Sequence, residues 1–476
     1  MKTRPLSVTL GCFSLLFILS LFSRLSFAIE KQQADLIVFG DYLVTMDGEQ
    51  PVIKNGAVVI KENNILAVGA RSDILNTYQA TEQINGKNRI LMPGLINGHT
   101  HSAMTLFRGM ADDLELMPWL NNFIFPMEAQ FVDPDFIKTG TQLACWEMIR
   151  GGTTTFVDMY FYPQVIAQQV DDCGLRAIIA SPSIDFPSPG FKGWDDSFKA
   201  AVEFVKQWQG KNERITPAFA PHAPYTVSPK HIKEVAIKAR ELNAPVSIHL
   251  AESAAELTMI KDRYNTTPIK HVANLGLLRD ITLIGAHMVH PNDEEISLLA
   301  KKNIGAIHNP TSNLKLATGI SPVVKMLEND VLVGLGTDGA ASNNDLDLWE
   351  DMRLAALIHK TNVKDPTALP ALTALKMATS MGAQAIGMGD ITGKLKAGMR
   401  ADMIQVSLDD LRLAPLYDVI SHLVYVVDSN DVVTSIVSGK LLMKNAQVMT
   451  IDEKQLRIAV ESKSLQISKA LAKTIK

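Results

Sequence analysis

The 476-residue chain is poor in cysteine, with three in all. A disulfide scaffold is excluded by that scarcity. Cys12 lies in an N-terminal apolar run, and spacing alone neither links nor separates the remaining pair, Cys145 and Cys173. A dominant charge is also missing: Lys+Arg 46 against Asp+Glu 50 leaves a net charge of -4. There is no basic field of the kind that binds phosphate backbones, so nucleic acid is not an expected partner. Beyond the N-terminus no apolar run is long enough to span a bilayer, and no solenoid-length repeat recurs. What is present, 47% hydrophobic and 20% charged residues, is the balance of a folded chain with a sizeable core.

At the N-terminus Lys2 and Arg4 precede an apolar run from Val8 to Phe22, followed by the small-residue pattern Ser26-Phe27-Ala28. This reads as a cleaved secretory signal over residues 1–28, which predicts export, to a periplasm, and no stable membrane anchor. A run of about fifteen residues falls short of the roughly 20 that a spanning helix needs.

Residues 29–91 are short β-like runs, such as Asp35-Leu36-Ile37-Val38-Phe39 and Gly56-Ala57-Val58-Val59-Ile60, broken by Gly and Asn turns. Similar runs return in residues 390–450, so the two ends are expected to form one small β-sandwich. Between them, in 92–389, apolar strand candidates alternate with helical stretches, the pattern of a parallel α/β sheet. Eight candidates end near His99, Asp158, Ile184, His222, His249, His287, His308 and Asp338. Eight is the number that closes a (β/α)8 TIM barrel, and polar groups at the carboxyl ends of its strands sit where such enzymes build their sites. Residues 451–476 read as an amphipathic helix or a frayed tail.

His99-Thr100-His101 puts two imidazoles two apart, on one side of an extended strand, where they can chelate one ion. His249 supplies a third imidazole, with the carboxylate of Glu252 three residues on to carry a proton. Asp338, on the last strand, comes beside the first once a barrel closes and can reach both metal and water. His287 and His290 are three apart, and His287 is the better placed of the two at its strand end. His222, stiffened by Pro221 and Pro224, suits a substrate contact, whereas Asn309 and Asn313 read as loop formers. The set describes a hydrolase whose metal ion activates water.

Pro93-Gly94-Leu95-Ile96-Asn97-Gly98-His99-Thr100-His101, Ser247-Ile248-His249-Leu250-Ala251-Glu252, His308-Asn309-Pro310 and Gly336-Thr337-Asp338-Gly339-Ala340-Ala341-Ser342-Asn343-Asn344 together resemble the amidohydrolase superfamily. More narrowly, they are similar to its methylthioadenosine/S-adenosylhomocysteine deaminase group, related to the triazine chlorohydrolases. The resemblance implies a distorted barrel holding one divalent ion, zinc or iron, on His99, His101, His249 and Asp338. It implies deamination of a 6-aminopurine nucleoside, with the activated water attacking C6 and ammonia leaving. In that reading Glu252 passes a proton to the ring, while His287 and Asp338 help deprotonate the water. Glu128 accepts hydrogen bonds from the ribose, and His222, Trp119 and Ser181 contact the substrate. At Ser181 the family has an arginine for the homocysteine carboxylate, and a serine cannot form that charge-assisted pair. 5'-Methylthioadenosine or adenosine is therefore expected over S-adenosylhomocysteine. Two alternatives stand beside this reading: another azine ring (guanine, a pterin, an s-triazine), or a non-catalytic metal or nucleoside binding protein. A homo-oligomer is compatible with either.

Overall fold

The computed structural model describes residues 2–3, 31–49, 51–302 and 304–474. Apart from residues 2–3, the secretory signal expected at 1–28 lies outside the described residues. Among the described residues no helix is long and apolar enough to cross a membrane.

Eight parallel strands follow one another in chain order: β1 (Leu95–Thr100), β2 (Thr153–Met159), β3 (Arg176–Ser183), β4 (Ile215–Pro221), β5 (Val246–Leu250), β6 (Leu283–His287), β7 (Gly305–His308) and β8 (Val333–Leu335). Their residues are almost wholly buried, as expected of strands covered by helices outside and by side chains within. The interior is filled by Ile96, Val157, Ile178, Ala218, Ile284 and Ile307, and Ala383 and Ala385 of the helix Ser380–Ala385 belong to the same cluster. The barrel is therefore a packed core rather than a pore, and the carboxyl ends of its strands are free to carry a site.

The ring closes irregularly between β8 and β1. No regular ladder joins them among the described residues; Asp338 N–H donates to His99 O (3.0 Å), Thr337 N–H to Asn97 Oδ1 (3.1 Å) and Asn97 Nδ2 to Thr337 Oγ1 (2.8 Å). Gly336 permits this approach, because a Cβ there would lie 2.8 Å from both His99 N and Asn309 Nδ2. The irregular seam sets Asp338 directly against His99.

The two chain ends meet in a second sheet of nine strands. Arg89–Pro93 pairs antiparallel with Met403–Ser407, in register from Met403 opposite Pro93 to Ser407 opposite Arg89. Along Gln32–Val44 the side chains alternate between two apolar clusters: Leu36 and Val38 join Val58, Leu91, Met403 and Ile436, while Ile37 and Phe39 join Ala57 and Val59. Arg176, at the start of β3, ties barrel to sheet through Nε to Asp402 Oδ2 (2.8 Å) and Nη2 to Ser438 Oγ (2.8 Å). Guanidinium and carboxylate are both buried there, which works only because each is also hydrogen-bonded. The C-terminal stretch forms the helix Glu453–Thr474, seated on buried Leu456 and Ile467. Cys145 and Cys173 are buried neighbours on adjacent helices, both with free thiols.

Candidate metal centre and active site

Four side chains converge at the mouth of the barrel. One ligand atom from each of His99, His101, His249 and Asp338 lies within 4.8 Å of every other. The hydrogen bonds around them decide which atoms face inward. His101 Nδ1 lies 2.6 Å from Met159 O and His249 Nδ1 2.9 Å from His222 O. A carbonyl can only accept, so both Nδ1 atoms carry the proton and both Nε2 lone pairs turn to the centre. Those two Nε2 atoms are 3.2 Å apart, and Asp338 Oδ1 stands 3.2 Å from His101 Nε2 and 3.3 Å from His99 Nε2. The other oxygen of Asp338 accepts from Ser312 Oγ (2.8 Å) and Ser342 Oγ (2.7 Å). Asp338 Oδ1 and both nitrogens of fully buried His99 have no hydrogen-bond partner. Buried polar atoms without partners are costly, and lone pairs aimed at one another call for a positive charge between them, a metal ion or, in its absence, a proton. Three imidazoles and one carboxylate suit a divalent first-row ion.

Backbone bends aim the remaining groups. Ala251, His287, Met288 and Asp338 all have positive φ (53°, 73°, 46° and 63°), a region that costs a non-glycine residue roughly 1–2 kcal/mol and that clusters at functional sites. After Ala251 the chain turns back so that Glu252 hangs over the mouth. The turn is held by Glu256, whose carboxyl accepts from Ala251 N–H (3.1 Å) and Glu252 N–H (2.8 Å). Burial raises the pKa of Glu252, so its carboxyl is inclined to hold a proton. His287 lines the same cavity, with its Nε2 3.8 Å from Glu252 Oε1. Its backbone N–H donates to Asn309 Oδ1 (3.2 Å) and its Nδ1 to Asn313 Oδ1 (2.9 Å). His290 instead directs Nε2 to Thr318 O.

Asn309 and Asn313, expected to be loop formers, are thus buried and hold His287 by backbone and ring. Sequence reading missed them because asparagine favours turns, and Asn309 also stands before Pro310. Tyr160, Ser312, Ser342 and Glu256 were missed as well; Tyr160 and Ser312 act through partners distant in sequence, Ser342 and Glu256 through neighbours four or five residues back. The strand-end groups Asp185 and His308 do not join the site: Asp185 pairs with His231 (2.7 Å) and His308 with His359 (3.1 Å).

Opposite the ligands the wall changes character. Trp119, Leu120, Ile124 and Phe125, on helical turns between Leu116 and Phe131, roof the cavity, and Glu128 reaches into it. Tyr160 donates to Glu128 Oε1 (2.8 Å), and burial outweighs that bond, raising the Glu128 carboxyl to about 7. His222 lines the cavity on the ligand side, its ring centroid 4.8 Å from that of His249. Its Nδ1 meets Thr226 Oγ1 (2.9 Å), which itself donates to Ala223 O (3.1 Å), so the imidazole keeps an acceptor Nε2. Burial lowers its pKa to about 3 and keeps it neutral. Ser181 is placed elsewhere. It is buried in β3 between Ala180, which packs inside the barrel, and Pro182, which lines the cavity, so its hydroxyl points into the strand–helix layer. No lysine or arginine lines the cavity.

The sequence pattern of the amidohydrolase family matches residues 90–442. The chain belongs to the amidohydrolase family. It is 45% identical to a 5-methylthioadenosine/S-adenosylhomocysteine deaminase of Carboxydothermus hydrogenoformans, over 86% of this chain and 93% of that protein. It is also 45% identical to a 5'-deoxyadenosine deaminase of Methanosarcina barkeri, over 89% of this chain and 96% of that protein. Among solved structures, an adenosine deaminase from Xanthomonas campestris with bound zinc superposes with a TM-score of 0.90 at 37% identity, covering 92% of this chain and all of that one.

Proposed function

We propose that this amidohydrolase is a hydrolytic deaminase of adenosine-type nucleosides, with zinc as its resident ion. The observation that carries the reading is the pairing of two walls. A four-ligand centre is flanked by Glu252 and His287 on one side; a buried carboxylate, Glu128, stands on the other with apolar surface around it. When bound, the ion supplies Lewis acidity that brings a coordinated water's pKa towards neutrality. His99, His101, His249 and Asp338 would hold it.

The chain's own groups then divide the proton traffic. Glu252, whose carboxyl burial shifts towards the protonated form, donates to the purine N1, which makes C6 electrophilic as the water oxygen adds to it. His287 offers Nε2 to the proton leaving the water, its ring fixed by Asn313 so that this nitrogen faces inward. Return of a proton to the exocyclic amine lets ammonia leave and the C6 oxygen remain as a carbonyl. Glu128 accepts from the ribose hydroxyls, and His222 Nε2 accepts from the sugar or the base. With no cation on the lining, the carboxylate of S-adenosylhomocysteine would enter without a partner, which favours nucleosides neutral at the 5' end.

The sequence at Lys2, Arg4 and Ser26-Phe27-Ala28 supports export of the enzyme, which suits scavenging of extracellular nucleosides; fractionation that finds the full-length chain in the cytoplasm would refute this. The deciding experiment for the activity is ammonia release by metal-analysed protein from adenosine, 5'-deoxyadenosine, 5'-methylthioadenosine and S-adenosylhomocysteine. Turnover of the first three ahead of the fourth is expected, and no release from any of them rejects the deaminase in favour of a binding protein.

A further inference from the structure

A second cavity of about 370 Å³ adjoins the first and shares Phe125, Glu128, Phe161 and Ile184 with it. Glu128 is therefore the boundary post between the two. A nucleoside with its base at Glu252 and its ribose hydroxyls on Glu128 would hold its sugar at the entrance to this second space. The far wall is Phe186 and the Pro187-Ser188-Pro189-Gly190 turn after β3.

From this we propose that the second cavity is a preformed apolar chamber for the nucleoside's 5' substituent, selecting alkylthio and arylthio groups larger than methyl and excluding a carboxylate; the proposal rests on the deaminase reading above. Three observations carry it. First, the wall is aromatic: the Phe125 and Phe186 rings meet edge to face at 5.9 Å, and Phe161 and Tyr162 complete it. Second, no lysine or arginine lines it, and its one acid is Glu128. Nearby Asp133 adds to burial in raising the Tyr162 hydroxyl, so the further charge felt at this wall is also a carboxylate. An anionic terminus gains nothing in such a place and loses its hydration.

Third, the wall is built rather than adaptable. Ser188 and Phe191 exchange backbone hydrogen bonds (3.1 and 2.9 Å) across the turn, and two prolines stiffen it. At its base Asp185 accepts from Ser228 N–H (2.9 Å) and His231 Nδ1 (2.7 Å). Gly190 has a φ of 83° and packs so closely that a Cβ would come within 2.9 Å of the Tyr162 ring, so the turn lies flat on that tyrosine. The chamber is within the size range of ordinary ligand pockets, whereas a methylthio group would leave most of it unfilled.

The test compares steady-state deamination of 5'-deoxyadenosine, 5'-methylthioadenosine, 5'-butylthioadenosine and S-adenosylhomocysteine by the metal-loaded full chain and by Phe186→Arg and Phe186→Ala. Each buried methylene is worth about fourfold in affinity. Butylthio should therefore lower KM at least about tenfold below methylthio, with kcat unchanged. Phe186→Arg should raise KM for the butylthio compound and lower it for S-adenosylhomocysteine, each by about tenfold or more, and Phe186→Ala should reproduce only the first effect. In both variants 5'-deoxyadenosine, which does not reach the chamber, should keep its kcat/KM. If 5'-deoxyadenosine is turned over but butylthio gives no gain, or Phe186→Arg moves neither KM, the chamber is wrong and the deaminase stands. No ammonia from any nucleoside overturns both.

Discussion

The two walls of the active cavity are made on opposite principles. On the ligand side hydrogen bonds fix the orientation of most groups: His101 and His249 are tied to carbonyls, Asp338 to two serine hydroxyls, His287 to two asparagines. On the far side Trp119, Leu120, Ile124 and Phe125 offer shape around Glu128 and its Tyr160. A wall of fixed hydrogen bonds cannot shift without leaving buried groups unpaired, which is what chemistry requires. A wall of apolar surface can exchange one side chain for another at modest cost, which is what a change of substrate requires. One barrel mouth thus holds a half that is costly to alter and a half that is cheap to alter.

Breaking the ligand side should cost most. Glu252→Gln keeps the shape and the backbone bonds to Glu256 but cannot deliver a proton, so kcat should fall about 10²–10⁴-fold while metal content stays unchanged. Loss of the ion in this variant would mean that Glu252 is structural. Asn313→Ala attacks the same wall indirectly: His287 keeps its place in the fold and loses the partner that fixes its ring. A loss of about 10–100-fold in kcat is expected, with KM and metal content little changed. A loss spread equally over KM would place Asn313 in substrate binding instead.

The unequal legibility of the two walls in sequence has the same origin. The strands of the barrel announce themselves as apolar runs, and a histidine or aspartate at the end of a run is visible because it breaks the pattern; His99, His101, His249 and Asp338 were found that way. The pairing of Arg89–Pro93 with Met403–Ser407 was foreseeable from β-like text at both ends. What sequence could not convey was the direction of each residue. Ser181 and Pro182 are adjacent, yet only Pro182 lines the cavity. Asp185 and His308 stand at strand ends, yet they are taken up by His231 and His359. Asn309 and Asn313 read as turn residues, and their function rests on the left-handed kink at His287, which no propensity predicts. Glu128 was located only through the family resemblance, since nothing in Phe125-Pro126-Met127-Glu128 marks a buried carboxylate.

Glu128 is also the residue on which the comparison of walls can be sharpened with pH. Burial first, against the opposing Tyr160 hydrogen bond and the charge of His101, raises its carboxyl from the ordinary 4.5 to about 7. The folded protein therefore holds this proton over a range in which the unfolded chain has lost it. The contribution to stability declines as pH rises from about 4.5 towards 7. Substrate binding runs the other way, because two ribose hydroxyls are best accepted by the ionised form. KM for a ribonucleoside should fall as pH rises through about 7. In the complex the two donors stabilise the carboxylate, so the limb seen in kcat should lie at lower pH than the limb seen in kcat/KM. Glu128→Gln should flatten the limb in KM and raise KM about tenfold at pH 8, the loss of one charge-assisted pair of hydrogen bonds. A 2',3'-dideoxynucleoside, which brings no hydroxyl to the carboxylate, should show neither the limb nor any penalty from the substitution. If it shows both, Glu128 acts on the ring chemistry, and the division of the cavity into a chemical wall and a recognition wall fails at this residue.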